Sequence, residues 1–263
     1  MATLVCFHAH PDDEAIATGG TMAKAAAAGH RVVVVLATRG EEGEQIPGVV
    51  PDGEDLGAWR ERETRDSAAV LGCHRVVFLG YRDSGMAGVS TNDAPESFWQ
   101  ADVNEAARRL AGILATEGAD VLTIYDSHGG YGHPDHVAVH RVGTRAAELA
   151  GTPRLYWATM NRDRVREMVE AAERAGTPLN AERTERVDSE DFGLPDADIT
   201  HAVDVTGVLD LKRAAMAAHA SQIGADSFFL SLPEGDFAAA FGTEWFVRPD
   251  RPRNGPQAPD LFA

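Results

Sequence analysis

Short apolar runs alternate with longer amphipathic stretches along the first 160 residues of the chain. The runs are rich in β-branched residues and predict strands at 3–7, 31–37, 75–79, 120–125 and 154–160. The stretches between them have helical spacing and predict helices at 12–28, 56–71, 98–116 and 134–150. Such alternation is typical of parallel strands joined by crossover helices, and strands that are apolar throughout indicate a sheet covered on both faces.

The pattern changes after residue 160. We expect a charged amphipathic helix at 162–175, a polar loop or cap at 177–195, a strand at 199–205 and a helix at 208–222. Residues 248–263 contain four prolines and few apolar side chains. We therefore expect this tail to be loosely ordered or draped over the surface.

These elements predict one α/β domain over residues 1–263. Its sheet is expected to be Rossmann-like and mostly parallel, with helices on both faces. Residues 1–160 would form the core, residues 161–247 a C-terminal cap-like part that shapes the pocket, and residues 248–263 the tail. Open sheets of this kind bind ligands beyond the carboxyl ends of their strands, which directs attention to the loops that follow the strands.

Composition argues against several classes of protein. The chain has 24 Lys and Arg against 41 Asp and Glu, a formal charge of −17, whereas binding nucleic acid needs clustered positive charge. Its apolar runs are shorter than the ~20 residues of a membrane span, and residues 1–7 do not resemble a signal peptide. Cys6 and Cys73 lie in apolar, strand-like surroundings. We expect both to be buried free thiols, and the protein to be cytoplasmic.

The first chemically unusual segment directly follows the first predicted strand and runs His8-Ala-His10-Pro-Asp12-Asp13-Glu14. Three consecutive carboxylates without a nearby Lys or Arg call for a counter-ion, and a divalent metal would supply that charge. His10 and Asp13 are three residues apart on a turn that enters a helix, so both side chains can reach one point. Taken alone, the segment also fits an acidic helix N-terminus that complements the helix dipole.

The second segment follows the fourth predicted strand, where residues 126–136 run Asp-Ser-His-Gly-Gly-Tyr-Gly-His-Pro-Asp-His. Its glycines allow backbone conformations that other residues resist, and its last two histidines repeat the spacing of three at a helix start. By itself this fits a surface histidine cluster. Together, however, the segments offer His10, Asp13 and His136 as metal ligands. Three protein ligands plus an open position for water are typical of a catalytic zinc site.

Ala-His-Pro-Asp-Asp-Glu near the start, followed much later by Gly-Gly-Tyr-Gly-His-Pro-Asp-His, resembles the PIG-L/LmbE-like family of zinc-dependent N-deacetylases. The chain looks most like the branch with two actinobacterial mycothiol-pathway enzymes, the N-acetylglucosaminyl-inositol deacetylase and the mycothiol S-conjugate amidase. The resemblance covers roughly residues 2–150, with weaker echoes at 199–222. It implies that His10, Asp13 and His136 bind Zn²⁺, or another first-row metal such as Fe²⁺.

The resemblance also implies roles for further residues. Asp12 would be the general base, His133 would stabilise the oxyanion, and Tyr131 would assist the tetrahedral intermediate. Three residues would bind the sugar: Arg60, Asp83 and Glu44. By residue type alone, the arginine also fits the solvated face of a charged helix, and the two acidic residues fit turn positions.

We therefore expect a zinc-dependent hydrolase that removes an N-acyl group, in particular N-acetyl, from an amino-sugar substrate. Metal-activated water would attack, with Asp12 as the base. The alternatives are an amidase acting on a mycothiol-type sugar-thiol conjugate and a non-catalytic metal-binding module, which would not need a base beside its ligands. A nucleotide-binding oxidoreductase is disfavoured because Gly-x-Gly-x-x-Gly does not follow the first strand. The expected partner is a small molecule, and the sequence is compatible with a homo-oligomer.

Overall fold

The computed structural model describes residues 1–174, 189 and 192–263. Its strands are β1 (Thr3–His8), β2 (Arg31–Leu36), β3 (Arg75–Phe78), β4 (Val121–Tyr125), β5 (Arg154–Thr159), β6 (His201–Asp204) and β7 (Thr243–Val247). Its helices are α1 (Asp13–Ala17), α2 (Gly19–Ala27), α3 (Leu56–Val70), α4 (Val103–Glu117), α5 (Gly129–Gly132), α6 (Pro134–Ala150), α7 (Arg162–Arg174), α8 (Leu209–Ala218), α9 (Phe228–Ser231) and α10 (Glu234–Phe241). Among the described helices, none combines the length and apolar content needed to cross a bilayer.

The described strands form one sheet with the order β3-β2-β1-β4-β5-β7-β6. The strands from β1 to β5 pair in parallel, whereas β7 is antiparallel to both of its neighbours. The strand order reverses between β1 and β4, which pair in parallel with Cys6 opposite Thr123. This is the switch point at which open α/β sheets bind ligands. Because the two unusual segments follow these two strands, the topology brings them side by side.

The apolar strands bury side chains on both faces of the sheet. Along β1, Leu4 and Cys6 belong to one core cluster, while Val5 and Phe7 belong to the other. Helices α2 and α8 contribute to the first cluster, and α4 and α6 to the second. The predicted α/β class, with a mostly parallel sheet and helices on both faces, is confirmed.

The predicted helix 12–28 is two helices in the structure, because the chain turns at Thr18. The Thr18 hydroxyl donates to the Glu14 carbonyl at 3.3 Å. The carboxylate of Glu244 accepts the N–H groups of Gly20 and Thr21, each at 2.8 Å. A residue remote in sequence therefore satisfies the first N–H groups of α2.

The predicted helix 98–116 likewise starts later, at Val103, since Asp102 accepts the Glu105 N–H at 2.8 Å and caps it. The sequence pattern did not predict β7, α5, α9 or α10. The predicted polar segment 177–195 lies largely outside the described residues.

The C-terminal residues pack against the same core. Leu261 is buried in the cluster that contains Leu4, and its carbonyl accepts the Tyr156 hydroxyl at 3.1 Å. The ring of Phe262 stacks on His30 with centroids 4.0 Å apart. The tail that we expected to be loosely ordered or draped over the surface thus has a buried side chain and specific contacts near its end.

Candidate active site

The turn after β1 holds Asp12 in a backbone conformation that is rare for a residue with a side chain. Its φ is +95°, within the region that favours glycine. The Asp12 N–H donates to Glu14 Oε2 at 2.9 Å, and the His10 N–H donates to Asp13 Oδ2 at 2.9 Å. Folded in this way, the turn gives the neighbouring carboxylates Asp12 and Asp13 different partners.

The turn after β4 is organised by the buried Asp126, whose Oδ1 accepts the N–H groups of His128 at 3.0 Å and Gly130 at 2.8 Å. Gly129 has a φ of +64°, and a Cβ at this position would lie 2.5 Å from His136 Cβ. Only glycine allows this close approach, which lets the turn fold over the start of α6.

These two turns bring together the residues predicted as metal ligands. Asp13 Oδ2 lies 3.4 Å from His10 Nδ1 and 3.3 Å from His136 Nε2. His133, the N-cap of α6, lies beside them, with its ring centroid 4.7 Å from that of His10. One ring nitrogen from each of the three histidines falls within a group whose members are all within 4.8 Å of one another.

Hydrogen bonds fix which nitrogen of each ring can bind a metal. His136 Nδ1 lies 3.1 Å from the carbonyl oxygen of Gly129, which can only accept, so Nδ1 carries the proton. Nε2 is left with a lone pair, is buried, and has no hydrogen-bond partner among the described residues. His10 Nε2 lies 3.0 Å from Asp135 Oδ2, so in a neutral ring Nδ1 has the lone pair towards Asp13. Two nitrogens and one carboxylate oxygen therefore fit zinc or another first-row divalent ion.

The electrostatics of this cluster favour a cation. Burial disfavours the charged form of His10, but Asp83, Asp13 and Asp135 outweigh burial and raise its pKa well above the usual value. Burial also opposes ionisation of Asp13, but His136 and His10, whose ring nitrogens lie 3.3 Å and 3.4 Å from its Oδ2, outweigh burial and hold the Asp13 pKa well below its usual range. The carboxylates that attract a proton to His10 would equally attract a divalent metal.

Asp12 stands beside this cluster and contacts Arg60 instead. The Arg60 guanidinium is buried on α3, with Nη2 3.2 Å from Asp12 Oδ2. It also donates to the carbonyls of Pro11 at 2.5 Å and Gly40 at 2.6 Å. Burial raises the pKa of Asp12 to about 6, against the opposing charge of Arg60. The structure thus places Arg60, which we predicted to bind substrate, beneath the turn and against Asp12.

The other two residues predicted to bind the sugar lie on adjoining loops. Asp83 is buried, with Oδ1 3.4 Å from His10 Nε2, and it accepts the N–H groups of Gly85 at 2.8 Å and Glu42 at 3.2 Å. Glu44 is exposed, two residues beyond Glu42 on the same loop. Asp83 therefore adjoins the histidine cluster, whereas Glu44 lies further out along the loop.

Tyr131 lies between Gly130 and Gly132 and faces the histidines. Its ring centroid is 5.0 Å from that of His136 and 6.4 Å from that of His133. It also packs in a small apolar cluster with Val169 of α7 and Phe192. The C-terminal part of the chain therefore contacts the site through this tyrosine.

Sequence reasoning assigned no role to three residues that support the cluster. Asp135 is fully buried and accepts hydrogen bonds from the N–H of Ser84, at 2.9 Å, and from its hydroxyl. The ring of Tyr125 stacks on His136, with centroids 4.4 Å apart. Asp135 lies within the His-Pro-Asp-His motif and could have been found there, whereas Ser84 and Tyr125 have no local signal.

Comparison with known proteins places the chain in a family. Residues 5–147 match the family described as PIG-L: GlcNAc-PI de-N-acetylase. The chain belongs to this family. Two relatives, from Acidothermus cellulolyticus and Thermomonospora curvata, are both named 1D-myo-inositol 2-acetamido-2-deoxy-alpha-D-glucopyranoside deacetylase. The first is 42% identical, and the match covers 94% of this chain and 88% of the relative. The second is 41% identical, and the match covers 96% of this chain and 92% of the relative.

Among solved structures, an N,N'-diacetylchitobiose deacetylase from Pyrococcus horikoshii matches with a TM-score of 0.59 and 24% identity. The match covers 94% of this chain and 83% of that one, and it shows a shared fold. The predicted resemblance to PIG-L/LmbE-like proteins and the expectation of an N-deacetylase enzyme are both confirmed by the family and its named members.

Proposed function

We propose that this PIG-L protein is a metal-dependent N-deacetylase acting on an N-acetylglucosaminyl-inositol type of amino sugar. One observation carries the proposal: Asp12 lies beside the group formed by His10, Asp13 and His136, yet pairs with Arg60 rather than with that group. A ligand set next to a separate base is what amide hydrolysis by water requires. The names of the two actinobacterial relatives support the choice of substrate.

A divalent metal held by His10, Asp13 and His136 would supply Lewis acidity at the substrate carbonyl and lower the pKa of water. The chain supplies the remaining chemistry. Asp12 accepts a proton from water as the water oxygen adds to the amide carbon. The carbon–nitrogen bond then breaks, and Asp12 returns the proton to the departing nitrogen, so that acetic acid and a free amine form and then exchange a proton to give acetate and an ammonium group.

His133 and Tyr131 are suited to stabilise the oxyanion. Burial, followed by the charges of His10 and His136, lowers the pKa of His133 to about 4. Its Nδ1 accepts the Asp135 N–H at 3.2 Å, so a neutral ring carries its proton on Nε2 and can donate from there. Donors placed around a developing oxyanion are among the largest contributions to catalysis.

Release of amine tests the proposal. The purified protein should release primary amine from 1-O-(2-acetamido-2-deoxy-α-D-glucopyranosyl)-myo-inositol, lose this activity in chelator and recover it with added Zn²⁺ or Fe²⁺. N-acetylglucosamine and a mycothiol S-conjugate are tested as further substrates in the same assay, and the three compounds form the substrate panel. Faster cleavage of the conjugate would favour the amidase alternative. Metal binding without cleavage of any panel member would favour the binding module and contradict the proposal.

The substitution Asp12→Asn tests the role of the base most directly. Asparagine keeps the size of the side chain but cannot accept the proton of water, so kcat should fall by ~10²–10⁴-fold with little change in KM. Metal content measured by elemental analysis should remain that of the wild type, because Asp12 is not assigned as a ligand. Turnover within a few-fold of the wild type, with metal still bound, would exclude Asp12 as the base.

A further inference from the structure

We infer that Glu14 and His219 form a positioning pair that holds the Asp12 backbone in its catalytic conformation. The inference rests on the proposed function, in which Asp12 is the base. Glu14 and His219 are both fully buried and lie 205 residues apart in sequence. Neither acts in the proposed mechanism, and among the described residues neither side chain hydrogen-bonds to His10, Asp13 or His136.

Both carboxylate oxygens of Glu14 are used. Oε2 accepts the Asp12 N–H at 2.9 Å, whereas Oε1 accepts the Ser67 hydroxyl at 2.7 Å and lies 2.6 Å from His219 Nε2. The side chain thus ties the backbone of the base to α3 on one side and to the end of α8 on the other. Burying a carboxylate is costly unless it is paired and hydrogen-bonded, and each oxygen here meets that condition.

The backbone that Glu14 holds is the strained one. Asp12 has a φ of +95°, and Asn254 is the other residue besides glycine with a positive φ among the described residues. Such a conformation persists only when its surroundings over-determine it. Glu14 accepts the N–H of this residue, while Arg60 binds its side chain and the Pro11 carbonyl of the same peptide unit.

The side chain of His219 makes its hydrogen bond to Glu14. It lies just after α8, and its Nδ1 is buried without a hydrogen-bond partner among the described residues. Its hydrogen bond through Nε2 to Glu14 is therefore the contact that accounts for an imidazole at this buried position. Burial opposes the charge of His219, but Glu14 outweighs burial and raises the His219 pKa, in agreement with a charged partner.

The fold contains a matched control. Glu244 is also buried, accepts two backbone N–H groups, from Gly20 and Thr21, and pairs with the buried Lys212. Like Glu14, it is a buried carboxylate that accepts backbone N–H groups, but it does so at the first turn of α2. Among the described residues it makes no contact with Asp12. Loss of either carboxylate should destabilise the fold, but only loss of Glu14 should disturb the base.

The experiment compares Glu14→Gln, His219→Gln, their double variant and Glu244→Gln in the metal-loaded full chain. We expect Glu14→Gln and His219→Gln to lower kcat at least tenfold, with KM within threefold and metal content unchanged. The double variant should lose little more than Glu14→Gln alone, because the two residues act as a unit. Glu244→Gln should lower the melting temperature while keeping kcat within twofold. A crystal structure of Glu14→Gln should show that the Asp12 φ or side chain has moved.

Three results would overturn the inference: kcat within threefold in Glu14→Gln, loss of metal in step with activity, or an equal kcat loss in Glu244→Gln. If Glu14→Gln does not fold, His219→Gln and Ser67→Ala decide, and kcat within threefold in both would overturn it. Full activity of Asp12→Asn, or an inactive wild type, would instead refute the proposed function, so the two failures can be told apart.

Discussion

Asp12 and Asp13 are chemically identical neighbours that the structure places in opposite environments. Asp13 lies between two histidines, which hold its pKa well below the usual range despite burial. Asp12, whose φ is positive, contacts Arg60 instead, and burial raises its pKa to about 6 although Arg60 opposes the shift. Environments that push the pKa values of two carboxylates apart are typical of a division between a metal ligand and an acid or base.

Two histidines allow the assignment of metal ligands and catalytic groups to be tested. His136→Ala should lose the metal, because its Nε2 has the free lone pair beside Asp13 and its Nδ1 is held by Gly129. His133→Ala should keep the metal and lose kcat by ~10²–10³-fold, the effect of removing one oxyanion donor. Elemental analysis and turnover on the same preparations measure both. Equal loss of metal in the two variants would show that His133 is a ligand as well.

At this scale, sequence reasoning succeeds where the chemistry is contiguous. His10 and Asp13, or His133 and His136, share a turn, so spacing alone predicts that they converge. The bond of Ser84 to Asp135 spans 51 residues, and that of Glu14 to His219 spans 205. Such pairs depend on how helices dock and leave no local pattern. For Arg60 the resemblance implied a substrate-binding role, whereas the fold shows that its guanidinium binds main-chain carbonyls and Asp12.

At the scale of elements, periodicity found the strands that build the parallel half of the sheet because each is a predominantly apolar run, and β1, β2 and β4 are buried on both faces. It did not find β7, whose five residues include Thr243 and Glu244 and leave an apolar run of only three. It also merged α1 and α2, because the break at Thr18 depends on Glu244 from the far end of the chain. Local pattern predicts which residues are buried, whereas remote partners decide where an element stops.

Packing between α6 and β4 sets the position of His136 and can be tested with two glycines. In α6, a Cβ at Gly143 would lie 2.4 Å from Ile124 Cγ2, whereas a Cβ at Gly112 in α4 would meet no atom within 4 Å. Gly143→Ala should destabilise the protein by ~1–3 kcal/mol through overpacking. Gly112→Ala should be neutral or stabilise it by up to ~1 kcal/mol through helix propensity.

Urea unfolding of the two glycine variants provides the measurement. Equal changes in the free energy of unfolding would mean that α6 can shift away from β4 at no cost, and that its packing does not fix the position of His136.

At the scale of the whole molecule, both ends of the chain share one core. One cluster joins Leu4 of β1, Met216 of α8 and Leu261 near the last residue. The C-terminal part also delivers His219 to Glu14 and packs Val169 and Phe192 against Tyr131. The sequence predicted a C-terminal part that shapes the pocket from its position after the core. It could not predict that Val169 and Phe192 would reach Tyr131, because these contacts join residues that lie far apart in the sequence.

The stability of the whole molecule should depend on pH through His201 of β6. This histidine is buried, with Nδ1 2.8 Å from the Thr200 hydroxyl, and its ring packs edge-on against Tyr156 at 4.8 Å. Burial lowers its pKa from 6.5 to about 4, and the charges of Arg251 and Arg248 add to the effect. Between these two values the unfolded chain binds the proton more readily than the folded protein does. Stability should therefore fall as the pH drops from about 6.5 towards about 4.

His201→Asn keeps a polar atom near Thr200 but removes the titrating ring. Its free energy of unfolding, measured by urea denaturation at pH values on either side of this window, should be lower than that of the wild type at neutral pH, because the packing on Tyr156 is lost. The difference should shrink on acidification. In the wild type, His201 is protonated in the unfolded chain but stays neutral in the folded protein, so acid stabilises the unfolded state, whereas the variant has no histidine at this position. Parallel stability curves for the two proteins would show that His201 binds its proton equally well in both states.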